Sequence, residues 1–281
     1  MKAGRASVTA ELVCMGRAVA DAAPPFPGFA DPTALRLLSE RARERVARAT
    51  GPKEPLGLRE RIDRGYLTRQ SQLVALRTRA IDETVRAAAA RQVVILGAGL
   101  DGRAWRMPEL SAAVVFEVDH PDSQREKRAR TRELRLAARE VRFLAVDFER
   151  DSLDAVLAQA GHEPLVPTTW IWEGVVMYLE RAAIESTLRV VERRSALGSH
   201  LSLTYAAPTW LLKVVGAVVR YLGEPFRTAF TPAQARALLA RHGFTVTADA
   251  GLAALGSRIS AELGRASKVA SHLRVLTAER H

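Results

Sequence analysis

Between Gln92 and Tyr205 the chain alternates short apolar, β-branched runs with stretches of helix length. No other feature constrains its fold as much. The runs are Gln92–Leu96, Ala113–Asp119, Val141–Asp147, Thr168–Glu173 and His200–Tyr205. Runs of this length and composition read as strands of a buried parallel sheet. Helical patterns lie between them at Pro121–Arg139, Ser152–Ala160 and Arg181–Leu197. The alternation predicts an α/β fold with a doubly wound, mostly parallel sheet. Thr231-Pro232, an N-cap and first-turn pair, then opens a helix over Ala233–His242, with strands near Phe244–Thr247 and His272–Thr277.

The first part of the chain has a different texture. Periodicity and chain breakers predict helices at Ala10–Ala22, Thr33–Thr50 (capped by Asp31-Pro32) and Asp63–Ala90. Residues 1–90 therefore read as an N-terminal helical layer packed on an α/β domain at 91–281, with a helical cap inserted around 206–230. The apolar positions of Thr209–Leu222 suggest a helix over an acceptor pocket. The most apolar window, Trp210–Gly223, is broken by Lys213 and Arg220, so no membrane span is expected. Met1–Val13 carries Lys2, Arg5 and Glu11 and does not read as a signal peptide. One cysteine, Cys14, leaves no intramolecular disulfide and no multi-cysteine metal site. These readings point to the cytoplasm and to no metal.

The net charge is +11, with 37 arginines but only 5 lysines. Solvated helix faces account for such an excess more readily than an anionic partner does. Arg128, Arg132, Arg135, Arg139 and Arg142 follow helical spacing and form the one candidate phosphate-binding stripe. No aromatic residue is interleaved for base stacking, so nucleic acid is not the expected partner. The oligomeric state is not legible.

The chemistry concentrates at the ends of the strands. Gly97-x-Gly99-x-x-Gly102 follows the first run, and small residues there let backbone approach a nucleotide. Asp119 ends the second run and suits ribose hydroxyls. Asp147 ends the third and suits an adenine amino group, with Phe148 adding a backbone N–H and a flat face. The glycine spacing also fits a dinucleotide, which keeps an NAD(P)-dependent oxidoreductase open. The helical leader and the absence of a second mononucleotide half favour S-adenosyl-L-methionine.

Several blocks then resemble one family. They are Val94-Ile95-Leu96-Gly97-Ala98-Gly99-Leu100-Asp101-x-Arg103-Ala104-Trp105-Arg106, Phe116-Glu117-Val118-Asp119-His120-Pro121, Ala145-Val146-Asp147-Phe148 and Trp172-Glu173-Gly174-Val175-Val176-Met177-Tyr178-Leu179, preceded by Arg77-Thr78-Arg79-Ala80-Ile81-Asp82. In this order they resemble the leucine carboxyl methyltransferase family, in its bacterial branch of S-adenosyl-L-methionine-dependent methyltransferases. The resemblance implies a class I, Rossmann-like methyltransferase fold and S-adenosyl-L-methionine as cofactor. It also implies cofactor contacts from Arg77, Gly97, Gly99, Asp119, Asp147, Phe148 and Glu173. Arg77 suits the methionine carboxylate through a bidentate fork, and Glu173 suits the ammonium. Arg17 is a weaker candidate for that carboxylate. Gly102 stands where the family commonly has threonine, and Phe148 where it has leucine.

A carboxylate acceptor is already ionised at neutral pH and needs no general base. The expected substrate is therefore a small-molecule carboxylate, with Tyr178 aligning it and no residue acting as acid or base. A phenol or alcohol would call on His120 or His200. The same residues also suit a tRNA-modifying methyltransferase, or a regulator that binds the cofactor without transferring its methyl group.

Overall fold

A computed structural model describes residues 8–52, 57–147, 151–208 and 226–281. Phe148 and the Thr209–Leu222 segment lie outside the described residues. The strands are β1 Gln92–Leu96, β2 Val114–Asp119, β3 Glu140–Ala145, β4 Thr168–Trp172, β5 His200–Ala206, β6 Phe244–Gly251 and β7 Leu273–Arg280. They form one sheet in the order β3-β2-β1-β4-β5-β7-β6. β1 to β5 pair in parallel, and β7 runs antiparallel to both β5 and β6. The seven-stranded, mostly parallel architecture is the one the alternation predicts.

Side chains of a strand alternate between its two faces, and that period sorts the core. Val94, Leu96, Phe116, Val118, Trp170 and Trp172 join a cluster with Ile184, Leu188 and Leu239. The helices behind them are α6 (Leu153–Gln159), α7 (Arg181–Arg193) and α8 (Pro232–Arg241). The intervening residues Val93, Ile95, Val115 and Ile171 join Leu76, Ile81 and Val85 of the long helix α3 (Leu58–Ala88) on the other face. A third cluster holds the leading helices together. Met15 and Val19 of α1 (Val8–Ala22) meet Val46 of α2 (Glu40–Thr50) and Leu67 of α3. Cys14 is fully buried there.

Two helix predictions fail for identifiable reasons. Residues 33–50 do not form one helix: Leu35–Leu37 make a single 3-10 turn, Leu38 is extended, and α2 starts at Glu40. The true cap is Ser39, whose hydroxyl accepts from Ala42 N at 3.3 Å. Asp31 is unavailable as a cap because Arg17 takes its carboxylate at 2.8 Å. The second failure is α5, Pro121–Thr131, which stops well short of Arg139. The arginine stripe is therefore not a helix face. Arg128 alone of its five members lies in α5, while Arg142 lies in β3 and donates to Glu140 at 2.7 Å and to the Ala160 carbonyl at 2.5 Å.

One ion pair sits wholly inside the protein. Lys127 Nζ of α5 lies 2.6 Å from Glu117 Oε2 of β2, at 1% and 0% side-chain exposure, and 5.3 Å from the Trp105 ring centroid. Burial pushes the Glu117 carboxyl up, and Lys127 pulls it only part of the way back. Such pairs cost as much desolvation as they return, but a lone survivor is worse. Lys127→Met should therefore destabilise the fold by about 3 kcal/mol or more. Glu117→Leu added to it should return urea-melt stability to within about 1 kcal/mol of the parent.

Candidate ligand site at the carboxyl edge of the sheet

The loop after β1 turns because two glycines adopt positive φ, +69° at Gly97 and +46° at Gly99. Gly97 N and Ala98 N both donate to the Val118 carbonyl, at 2.8 and 3.0 Å, so the turn grows out of the β1–β2 ladder. Gly99 N then donates to Asp119 Oδ2 at 2.5 Å, and His120 N to Asp119 Oδ1 at 2.6 Å. Two backbone donors thus fix the carboxylate at the mouth of the turn. On the next strand Val146 N donates to the Asp119 carbonyl at 2.9 Å, which brings half-buried Asp147 beside it. Asp147 N is held by Asp151 Oδ2 at 2.8 Å.

Glu173 follows β4, across β1 from these residues. Arg77 Nε of α3 donates to its Oε1 at 2.7 Å, so the expected cation and anion meet directly. A second guanidinium, which lies in one of the family blocks but is given no site role by the sequence reading, takes the other oxygen: Arg103 Nη1 donates to Glu173 Oε2 at 2.9 Å. Arg103 comes from α4 (Arg103–Arg106) and also donates through Nε to Asp82 Oδ1 at 2.7 Å and through Nη1 to Asp101. Arg106 shares Asp82 at 2.7 Å and reaches Asp31 at 3.5 Å. Arg17 closes the series, with Nε on Asp31 and Nη2 on the Leu100 carbonyl at 2.5 Å. Arg17 thus ties the glycine loop to Asp31.

The series runs Arg17, Asp31, Arg106, Asp82, Arg103, Glu173, Arg77, cation and anion in strict alternation, with Asp101 as a side branch from Arg103. Sequence reading finds its two ends and misses its middle. The available signal is Arg103 and Arg106 flanking Trp105 next to Asp101, charges set in an otherwise apolar stretch. Burial alone would raise the Glu173 carboxyl, yet Arg77, Arg103 and Arg17 hold it well below the usual carboxylate range. Asp101 is likewise lowered against the effect of burial, chiefly by Arg103.

Tyr178 sits in the 3-10 turn Val176–Tyr178 after β4, its ring 5.5 Å from that of Phe226. Phe226 in turn lies 6.3 Å from His272, just before β7. Nothing in the sequence marks His272; it is buried, and burial lowers its pKa. The two histidines that the sequence does suggest are elsewhere. His120 caps α5, accepting from Asp122 N at 3.3 Å. His200 begins β5, at the opposite end of the sheet from the glycine turn.

The leucine carboxyl methyltransferase family model matches residues 10–192. The chain belongs to that family. Curated relatives named "Putative S-adenosyl-L-methionine-dependent methyltransferase" include one from Frankia alni, 35% identical and covering 70% of this chain and 66% of the relative. One from Mycolicibacterium gilvum is 34% identical over 80% of this chain and 73% of its own length. One from Streptomyces avermitilis is 41% identical over 47% of each. The matches thus span about half to three quarters of these relatives' lengths. Among solved structures, a DUF574 family protein from Streptomyces avermitilis aligns over 99% of both chains at a TM-score of 0.64 and 12% identity. Geranyl diphosphate methyltransferase in complex with SAM aligns over 82% of this chain and 93% of its own, at 0.56 and 13%. The likeness to the second of these, with the mostly parallel seven-stranded sheet, shows the class I methyltransferase fold.

Thr33 fills the space beside Gly102. A β-carbon on Gly102 would overlap Thr33 Oγ1, whose hydroxyl donates to Asp31 Oδ1 at 2.6 Å. Backbone strain is not the obstacle, since φ at Gly102 is −109°. Gly102→Ala should cost about 1–3 kcal/mol in thermal melts, with Thr33→Ala restoring part of it.

The lowered Glu173 carboxyl sets a pH signature. A group depressed in the folded state stabilises fully above its unfolded value of about 4.3 and loses that contribution as pH falls through the folded value. The stability gap between parent and Glu173→Gln should be about 3 kcal/mol. It should hold from about pH 8 to 5 and narrow below about pH 4.

Proposed function

We propose that this protein is an S-adenosyl-L-methionine-dependent O-methyltransferase acting on a carboxylate of a small molecule. The observation that carries the reading is the convergence at one sheet edge of a glycine turn, Asp119 fixed by two backbone donors, and the Arg77–Glu173 pair. The residues present fit the cofactor. Asp119 keeps acceptor capacity for the ribose hydroxyls, and Gly97 and Gly99 bring backbone close to the nucleoside. Asp147, with Phe148 beside it in sequence, suits the adenine. Arg77 and Glu173 offer one charge of each sign to the zwitterionic amino-acid end. The reversed β7, in place of a second parallel mononucleotide half, speaks against a dinucleotide.

When bound, the cofactor supplies a methyl group on a cationic sulfur, which keeps the electron pair of the broken bond as an acceptor oxygen forms the new one. The chain's own work is alignment and exclusion of water. An ionised carboxylate asks for no proton removal. Tyr178 is the residue proposed to align it, from the turn that follows β4, where its ring lies 5.5 Å from that of Phe226.

Calorimetry should show S-adenosylhomocysteine binding and no binding of NADH. Asp119→Ala should weaken S-adenosylhomocysteine at least about tenfold, or about 1.4 kcal/mol. Radiolabelled methyl transferred to small organic acids should be released by alkali, as an ester is. A label that survives alkali would replace the carboxylate with a phenol or alcohol acceptor.

A further inference from the structure

Glu173 is gripped oxygen by oxygen from two sides. Arg77 Nε holds Oε1 at 2.7 Å, and Arg103 Nη1 holds Oε2 at 2.9 Å. Arg77 has spent only Nε in this way; its two terminal nitrogens make no hydrogen bond to the described residues. Those nitrogens are the pair a carboxylate takes in bidentate fashion. Arg103 faces no such choice. Its side chain is 3% exposed and is committed to Asp82, Asp101 and Glu173, and its own backbone N donates to Asp101 Oδ1 at 2.8 Å.

We propose that Arg103 is a positioning residue for the amino-acid end of the bound nucleoside: by clamping Glu173 against Arg77, it aims the free fork of Arg77 at the ligand carboxylate. The inference rests on the nucleoside site described above and assigns a role to a residue that touches no ligand. Without the clamp Glu173 can swing and occupy the terminal nitrogens of Arg77 itself, closing the fork. A lysine cannot replace the guanidinium, because one ammonium on a flexible stem does not reproduce a planar fork serving three carboxylates. The placement of Arg103 also explains why the glycine turn and the end of β4 act together. Asp101 belongs to the turn and Glu173 to the strand end, and Arg103 spans the two.

The test compares two ligands on the full chain. S-adenosylhomocysteine carries the amino-acid end; 5′-methylthioadenosine has the same adenosine and thioether without it. For Arg103→Lys, calorimetry should show S-adenosylhomocysteine weakened tenfold or more and 5′-methylthioadenosine unchanged within twofold. Equal loss of both ligands would mean a merely structural role, and no loss of either would mean no role; each result overturns the inference. A parent protein that binds neither ligand would sink the proposed function instead. Should Arg103→Lys not fold, Asp82→Asn carries the same comparison, since Asp82 holds Arg103 Nε at 2.7 Å.

Discussion

The alternating series of buried charges from Arg17 to Arg77 is the constraint on which the ligand edge depends. It joins α1, the segment after it, α4, α3 and the end of β4. Its four guanidinium groups are balanced by Asp31, Asp82, Asp101 and Glu173, so the buried region is close to neutral. Burying charge costs several kcal/mol per ion, and pairing returns that only when every member finds its partner. The arrangement thus tolerates one register of these elements and penalises the others. Its contribution is to specify geometry more than to add stability.

Sheet topology explains why the series ends where it does. The chain winds outward from β1 through β2 to β3, then returns to place β4 on the other side of β1. Loops leaving β1 and β4 diverge at that reversal, and the crevice between them is where open α/β sheets bind ligands. Gly97 and Asp119 line one wall, and Glu173 begins the other. A β-carbon at Gly97 would overlap Val175 Cγ2, so the walls already touch at the base.

Strands are far more legible in this sequence than helix ends, and the reason is physical. A parallel strand covered on both faces is largely apolar, so the run Val93–Leu96 marks β1 plainly. A helix boundary depends on which polar group wins a capping role, and Asp31 loses that role to a tertiary partner, Arg17. The arginines beyond Thr131 keep helical spacing by chance, with nothing in the local sequence to stop the pattern. At the proposed site, the strand-end residues Gly97, Asp119, Asp147 and Glu173 announce themselves through motif and spacing. Arg103, Asp82 and Arg106 fall inside the family blocks, yet nothing there shows that they pair, because their partners are distant in sequence and only folding brings them together. His272 is hidden for the same reason, since β7 has to reverse before it can approach Phe226.

That reversal has a practical side. β7 starts at the ligand edge, where Leu273 pairs with Ala206, and finishes at the far rim, where Glu279 pairs with His200. A tether attached beyond Arg280 therefore leaves from the rim opposite the crevice. Molecules anchored to a sensor surface by that end would hold their binding face toward the flowing solution.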